Sequence, residues 1–213
     1  MQHSQLRQQL IDITHATIKS GLNQGVSGNL SVRVNDGMLI TPSGLSHELM
    51  TSADIVFMHL DSEGEYEGHF RPSSEWRFHR DIYRDRKEAG AVLHAHSNAC
   101  TTLACLNREI PAFHYMIAMA GGNNIRCAPY AVFGSQELSE YALAALEHRK
   151  ACLLANHGLL CLDADIEKVF ALAVEVENLA QVYMQALQTG EPVILDDAAM
   201  QIVIEKFADY QKR

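Results

Sequence analysis

Patterns typical of helices alternate with short strand patterns along the chain, and this alternation is the feature that most constrains its fold. Apolar residues at helical spacing predict helices over residues 4–20, 75–84, 97–106, 135–149, 166–189 and 196–210. Apolar or alternating runs bounded by turns predict strands over residues 30–34, 38–40, 55–60, 91–96, 151–155 and 159–162. Residues 111–130 are ambiguous because glycines and a proline interrupt them. The strands can share one central sheet, so we predict an α/β fold.

Length and charge narrow the class further. A chain of 213 residues fits a single domain, residues 1–213, and contains no internal repeat or linker. Its 26 acidic and 17 basic residues give a net charge of −9, which disfavours nucleic acid as a partner. An anionic substrate would need a local positive site: a metal, helix N-termini or backbone amides. The longest nearly uncharged stretch, residues 110–132, contains His, Gly, Asn and Pro, and we predict no membrane span.

The cysteines indicate a reducing compartment. There are five, an odd number, and no C-x-x-C motif occurs. Most stand in apolar surroundings, so we expect reduced and mostly buried thiols. The N-terminus lacks the charged segment and apolar run of a signal peptide. We therefore expect a cytoplasmic protein.

His94 and His96 stand two residues apart in an otherwise apolar predicted strand. Side chains at this spacing leave the same face of a strand. A metal would satisfy both imidazoles at once, and neutral imidazole is a good ligand for zinc. The motif alone is only moderately specific, and a structural pair of histidines is the alternative.

His157 lies in Asn156-His-Gly158, between two apolar strands. The glycine permits a tight turn that would redirect the histidine side chain. The alternative is an ordinary hairpin turn with a histidine at its tip. Seven other histidines show no partner pattern, and for these we expect solvated or hydrogen-bonded side chains: His3, His15, His47, His59, His69, His79 and His148.

Glu75 is the candidate carboxylate, at the end of Arg71-Pro-Ser-Ser-Glu75. It has a simple structural explanation, with Ser74 as helix N-cap and Glu75 in the first turn, where a carboxylate gains about 0.3–1 kcal/mol from the helix dipole. Three histidines and one carboxylate nevertheless form a known kind of metal site with a ligand that can leave. An iron site with two histidines and one carboxylate is less favoured, because no H-x-D/E stands near His94.

Five motifs together resemble the class II aldolase/adducin-head family. They are Gly25-Val-Ser-Gly-Asn-Leu-Ser31, Ile40-Thr-Pro-Ser-Gly44, Pro72-Ser-Ser-Glu75, His94-Ala-His96 and Asn156-His-Gly158. The resemblance extends from about Leu6 to Tyr210, nearly the whole chain. It implies a single domain with a central, mainly antiparallel sheet flanked by helices.

The resemblance also implies roles for the matching residues. The three histidines correspond to ligands of one Zn²⁺ per subunit, and Glu75 to a fourth ligand and the acid/base of the reaction. The family's phosphate pocket corresponds to Gly28, Asn29, Ser43, Gly44, Ser73 and Ser74. Tyr115 and Tyr210 match tyrosines lent by a neighbouring subunit of a homotetramer with active sites at its interfaces, and Phe133 matches a residue near the aldehyde end. Ser43 replaces a Thr but keeps the hydroxyl.

The implied reaction is the reversible cleavage of a 2-ketose 1-phosphate, such as L-fuculose 1-phosphate, to dihydroxyacetone phosphate and an aldehyde. An aldolase acting on 5-deoxyribulose 1-phosphate or its methylthio analogue stays open, as do a 4-epimerase, a dehydratase and a decarboxylase. Glu75 favours an aldolase, because the epimerase branch usually carries Asp there. A non-enzymatic adducin-like module should lack the complete ligand set. Mn, Fe or Co could replace Zn in such a site.

Overall fold

The structure is a computed structural model that describes residues 2–210, with only the backbone of Tyr210. The helices are α1 Ser4–Lys19, α2 Trp76–Asp85, α3 Asn98–Cys105, α4 Gln136–Ala145, α5 Ile166–Thr189 and α6 Asp197–Tyr210, with a 3₁₀ helix at Tyr115–Ala120. The strands are β1 Asn29–Val34, β2 Gly37–Ile40, β3 Val56–His59, β4 Tyr66–Glu67, β5 Ala91–Ala95, β6 Ile110–Pro111, β7 Asn124–Ile125, β8 Cys127–Ala128, β9 Ala151–Leu154 and β10 Gly158–Asp163.

Eight strands form one sheet in the order β4-β3-β2-β1-β5-β10-β9-β8. All neighbouring pairs are antiparallel except β8 with β9. Strands β6 and β7 pair separately. The prediction of an α/β fold with a mainly antiparallel sheet is confirmed.

Helices cover both faces of the sheet, so the central strands are buried on both sides. Helices α1, α3, α5 and α6 pack on what we call the α5 face, and α2 and α4 pack on the α2 face. Alternation along β5 sends Ala91, Leu93 and Ala95 to the α5 face and Val92 to the α2 face. Because the side-chain period of a strand is two, His94 shares the α2 face with Val92.

All six predicted helices and all six predicted strands occur, and most of their ends shift by one to four residues. The N-cap of α1 is His3, in a left-handed conformation and without a capping bond. The N-cap of α4 is Ser135, whose hydroxyl accepts a hydrogen bond from the Leu138 N–H. Helix α4 ends at Ala145, four residues before the predicted end, and the chain then turns through His148 at φ 56°.

The ambiguous segment 111–130 contains the 3₁₀ helix and three short strands. The turn that follows the 3₁₀ helix requires φ 90° at Gly121, a conformation that glycine adopts readily. All five cysteines are free; Cys100, Cys152 and Cys161 are buried, whereas Cys105 is exposed. Among the described residues, every helix is too short or too polar to cross a membrane.

Candidate metal centre and active site

The two histidines of the H-x-H motif meet at the end of β5. Their Nε2 atoms lie 2.9 Å apart, as expected for side chains that leave the same face. His94 is fully buried, whereas His96 lies just beyond the end of the strand and is more exposed. The pair therefore points from the buried sheet toward solvent.

His94 is held as a ligand-ready tautomer. Its Nδ1 lies 2.9 Å from the carbonyl oxygen of Leu159 on the neighbouring strand β10. A carbonyl can only accept, so Nδ1 carries the hydrogen and Nε2 presents its lone pair. Burial, and then the neighbouring His96, lower the pKa of His94 to about 3, so the ring stays neutral. In metal sites, a hydrogen bond from the ring nitrogen that does not bind the metal usually orients the imidazole in this way.

His157 reaches the same place from the β9–β10 turn. The turn places Asn156 at φ 55°, and Gly158 begins β10 immediately afterwards. The Asn-His-Gly segment is therefore a hairpin turn, but its histidine joins the other two. One nitrogen from each of His94, His96 and His157 lies within 4.8 Å of the others. Burial, and then His94, lower the pKa of His157 to about 3.

Glu75 faces this cluster. Its Oε2 lies 3.3 Å from the Nε2 of His94, and its Oε1 lies 3.2 Å from the Nε2 of His157. Both rings are neutral, so these contacts are not ion pairs. The Oε1 atom is buried and has no hydrogen-bond partner among the described residues. The explanation of Glu75 as a first-turn residue behind a Ser74 cap is wrong, since Glu75 itself occupies the N-cap position and its side chain makes no capping bond.

This donor set fits a divalent metal. Three neutral imidazoles and one carboxylate converge, and a buried carboxylate oxygen without a partner is costly in a protein that lacks a ligand there. Nitrogen and oxygen donors in this combination suit zinc and related ions.

A cleft of about 370 Å³ opens beside the cluster. It is lined by all six residues of the predicted phosphate pocket: Gly28, Asn29, Ser43, Gly44, Ser73 and Ser74. Glu75, His96, His157 and Phe133 also line it. No Lys or Arg stands among the described residues that line this cleft, so it would hold an anion with backbone amides, hydroxyls and a metal.

Close packing shapes the rim of the cleft. Gly28 has φ 79°, and a Cβ there would lie 2.4 Å from the side chain of Asn23. The same Asn23 accepts a hydrogen bond of 3.1 Å from the His96 N–H. The Asn23 side chain thus packs against Gly28 of the predicted phosphate pocket and also binds the backbone of His96. No sequence motif marks Asn23 as a site residue.

Among the described side chains of the three other predicted residues, only Phe133 reaches the cleft of its own chain. Phe133 is exposed and lines the cleft near Tyr130. Tyr115 is exposed and lines a separate cavity with Val203, Lys206 and Phe207. The side chain of Tyr210 lies outside the described part of the chain.

Known proteins share both this sequence and this fold. A family model described as the class II aldolase and adducin N-terminal domain matches residues 8–184. The chain belongs to the class II aldolase and adducin family. It is 55% identical to the 5-methylthioribulose-1-phosphate/5-deoxyribulose-1-phosphate aldolase of Rhodospirillum rubrum, over 96% of this chain and 92% of that protein. It is 50% identical to the L-fuculose phosphate aldolase of Escherichia coli, over 100% of this chain and 99% of that protein.

A solved structure supports the same family assignment. The structure of an L-fuculose 1-phosphate aldolase matches with a TM-score of 0.94 and 41% identity over 98% of both chains. The chain is therefore an enzyme of the class II aldolase type, a carbon–carbon lyase, and the non-enzymatic alternative is set aside. Class II aldolases depend on a metal ion. In this chain, His94, His96 and His157 could bind that ion.

Replacing Gly158 of this class II aldolase with alanine should damage the metal centre. An added Cβ would lie 2.4 Å from the carbonyl oxygen of Ala95 and 3.1 Å from the ring of His96. Strands β5 and β10 would have to separate, and we expect a loss of about 1–3 kcal/mol in unfolding free energy together with weaker binding of a divalent metal. Urea titration and a Zn²⁺ competition assay measure the two effects. Gly190→Ala is the control, because its Cβ meets nothing within 4 Å; equal losses in both variants would contradict the prediction.

Proposed function

We propose that the chain is a zinc-dependent aldolase that reversibly cleaves a 2-ketose 1-phosphate of the L-fuculose 1-phosphate type to dihydroxyacetone phosphate and a lactaldehyde-like aldehyde. One observation carries this proposal. Three histidines and Glu75 converge beside a cleft lined with glycines and hydroxyl groups. The name of the Escherichia coli relative, L-fuculose phosphate aldolase, supports the choice of substrate.

His94, His96 and His157 would hold the metal, and Glu75 would be a fourth ligand that substrate can displace. Zn²⁺ is our proposal because neutral imidazoles with one carboxylate suit this ion. When bound, the metal supplies Lewis-acid stabilisation of the negative charge that carbon–carbon cleavage leaves on the substrate oxygens.

The phosphate group would lie in the part of the cleft away from the histidines. Gly28 and Gly44 both have positive φ, 79° and 71°, which turns successive backbone N–H groups toward one side of a loop. Hydroxyl groups of Ser43, Ser73 and Ser74 line the same cleft. Amides and hydroxyls can bind a phosphate without a cationic side chain, which accords with the acidic charge of the chain.

Glu75 would hold and deliver a proton. When the bond between C3 and C4 breaks, its electron pair stays on C3, and the C4 hydroxyl loses its proton as it becomes the aldehyde. We assign protonation of C3 to Glu75 and removal of the C4 hydroxyl proton to Tyr115 of a neighbouring copy. In the synthetic direction the two roles reverse, and no Schiff base is needed.

A second candidate differs only in the aldehyde. The Rhodospirillum rubrum relative, at 55% identity, is named for 5-methylthioribulose 1-phosphate and 5-deoxyribulose 1-phosphate. Both would also yield dihydroxyacetone phosphate. Val26, Tyr130, Ala131 and Phe133 line the cleft, and this apolar surface suits the terminal methyl or methylthio group of either type of substrate.

We also propose a cytoplasmic homotetramer, with residues 1–213 as one domain and active sites at subunit interfaces. Its support is that Tyr115, Tyr130, Val132 and Phe133 all expose large apolar surfaces in the single chain. Exposed apolar patches of this kind commonly mark protein–protein contacts. Tyr115 and Tyr210 would then reach the cleft of an adjacent copy, with Phe133 near the aldehyde.

The test is a coupled assay for dihydroxyacetone phosphate. L-fuculose 1-phosphate, 5-deoxyribulose 1-phosphate and L-ribulose 5-phosphate are compared with and without a chelator. Chelator-sensitive release from L-fuculose 1-phosphate, with the highest kcat/KM, supports the proposal. A higher kcat/KM for 5-deoxyribulose 1-phosphate supports the second candidate. No release from either 1-phosphate by the zinc-loaded protein overturns the proposal and favours an epimerase, dehydratase or decarboxylase.

A further inference from the structure

A row of polar side chains extends from Glu75 between α2 and β1, and all are buried except Arg33, which is half-buried. From α2 and its N-cap, every fourth residue takes part, and from β1 every second residue. We call this set the α2–β1 ladder: Glu75, His79 and Tyr83 with Asn29, Ser31 and Arg33.

The two spacings match physically. Four residues of an α-helix advance about 6 Å along its axis, and two residues of a strand advance about 6.6 Å. Side chains at these intervals therefore stay opposite each other for several turns. The Arg33 guanidinium closes the far end, donating to the Tyr83 carbonyl at 2.7 Å and lying 4.8 Å from the centre of the Tyr83 ring.

An unbroken chain of hydrogen bonds runs along this ladder. Asn29 Nδ2 lies 2.9 Å from Glu75 Oε2, and Asn29 Oδ1 lies 2.5 Å from His79 Nε2. His79 Nδ1 lies 2.6 Å from Ser31 Oγ, which lies 2.9 Å from the Tyr83 hydroxyl. His79, Ser31 and Tyr83 are fully buried.

The direction of every bond follows from the Glu75 end. A carboxylate only accepts, so Asn29 donates its amide hydrogen to Glu75 and presents its oxygen to His79. The imidazole must then carry its hydrogen on Nε2 and accept at Nδ1. Ser31 donates to Nδ1, and the Tyr83 hydroxyl donates to Ser31. Burial, and then His94, hold the pKa of His79 well below its usual value, which is consistent with a neutral ring with one hydrogen.

The chain treats the two oxygens of Glu75 differently. Oε2 is held by Asn29, whereas Oε1 is buried without a hydrogen-bond partner and points toward His157. Anchoring one oxygen fixes the plane of the carboxylate and leaves the other oxygen for a metal or a proton.

We propose that His79 is a positioning residue: its Nε2 hydrogen orients Asn29, which in turn aims the Glu75 carboxylate, while Ser31 and Tyr83 select the required tautomer. The catalytic consequence rests on the proposed function, whereas the chain of bonds and its effect on metal binding do not. Apolar side chains would fill this buried space at lower desolvation cost, so packing alone does not account for four polar groups in series.

Two substitutions at His79 separate positioning from packing. His79→Phe removes both ring nitrogens, whereas His79→Gln keeps a donor near the position of Nε2. We expect kcat to fall about 10- to 100-fold in His79→Phe, as for other residues that orient a metal ligand, with KM changed less than threefold and partial recovery in His79→Gln. Ser31→Ala and Tyr83→Phe should give smaller losses of kcat.

The control is Ser139→Ala, which also removes a buried polar group on the α2 face. Its hydroxyl donates to Asp81 at 2.7 Å and takes no part in the ladder. It should lower the free energy of unfolding without changing kcat. If His79→Phe behaves like this control, with kcat per folded, zinc-loaded chain within twofold of the original, the proposal is overturned.

A thermodynamic cycle tests the route through Glu75 without any substrate. Zn²⁺ dissociation constants are measured by competition for the original protein, His79→Phe, Glu75→Ala and the double variant. We expect His79→Phe to weaken Zn²⁺ binding about 10-fold or more when Glu75 is present and by less than twofold when Glu75 is absent. Equal effects in both backgrounds would show that His79 does not act through Glu75.

The tautomer is measured directly in the metal-free protein. Nitrogen-15 spectra of histidine-labelled protein, with His79→Gln to assign the resonance, should show hydrogen on Nε2 and none on Nδ1. Hydrogen on Nδ1 would overturn the proposal. If no tested sugar phosphate is cleaved, the proposed function fails, while the zinc cycle and the tautomer still decide whether His79 positions Glu75.

Discussion

Replacing Glu75 with glutamine should reduce kcat by about 10²- to 10⁴-fold, the range typical of a lost general acid or base. The amide keeps the shape of the side chain and one donor oxygen but cannot carry the proton that C3 receives. Because three histidines remain, Zn²⁺ should still bind, though more weakly. Dihydroxyacetone phosphate release and bound zinc per chain measure the two quantities.

The matched control is Glu167→Gln, which changes an exposed carboxylate in the first turn of α5. It should leave kcat and zinc content unchanged. Near-original turnover by Glu75→Gln at full zinc occupancy would remove Glu75 from the reaction, and complete loss of zinc would show that it acts chiefly as a ligand.

Chelation should abolish aldolase activity, and added Zn²⁺ should restore it. The chain should stay folded without metal. Each face of the sheet carries one apolar core, and neither core includes the histidine cluster. Zn²⁺ at 100 times its dissociation constant should stabilise the protein by about 2.7 kcal/mol, since it binds only the folded state. Activity, zinc content and Tm are followed through removal and return of the metal.

Two histidine variants complete this experiment. His94→Ala should lose activity that Zn²⁺ cannot restore, because its Nε2 faces both His96 and Glu75. His59→Ala, at an exposed position on β3, should behave as the original protein. Full activity after complete removal of metal, or a Tm unaffected by Zn²⁺, would contradict the prediction that the enzyme binds and requires a metal ion.

The elements of the fold were predictable because their signals are local. Helical spacing predicted α5 with both ends correct, and apolar or alternating runs bounded by turns predicted the central strands. The predictions failed where a longer-range contact decides the outcome. Helix α4 stops early because the chain turns back toward residues 123 and 124, which the side chain of Arg149 joins by hydrogen bonds of 2.8 Å.

Some residues of the candidate site were likewise predictable from local patterns, and others depend on contacts between distant segments. His94 and His96 were predicted to share a face from their spacing alone, and they do. Glu75 was a candidate carboxylate from the sequence itself, and the family resemblance added its role and the phosphate-pocket residues. All of them line one cleft. Asn23 was missed because it has no motif; its importance comes from two contacts with distant parts of the chain.

His79 shows the limit most clearly. Alone in the sequence it was an ordinary histidine without a partner pattern, and its spacing from Glu75 and Tyr83 indicates only a shared helix face. Strand spacing of Asn29 and Ser31 likewise indicates only a shared sheet face. The sequence thus specifies which side chains lie on the same face of each helix or strand. Whether those two faces meet in register depends on how α2 packs across the sheet, a contact between segments almost 50 residues apart in sequence, and local periodicity carries no information about that alignment.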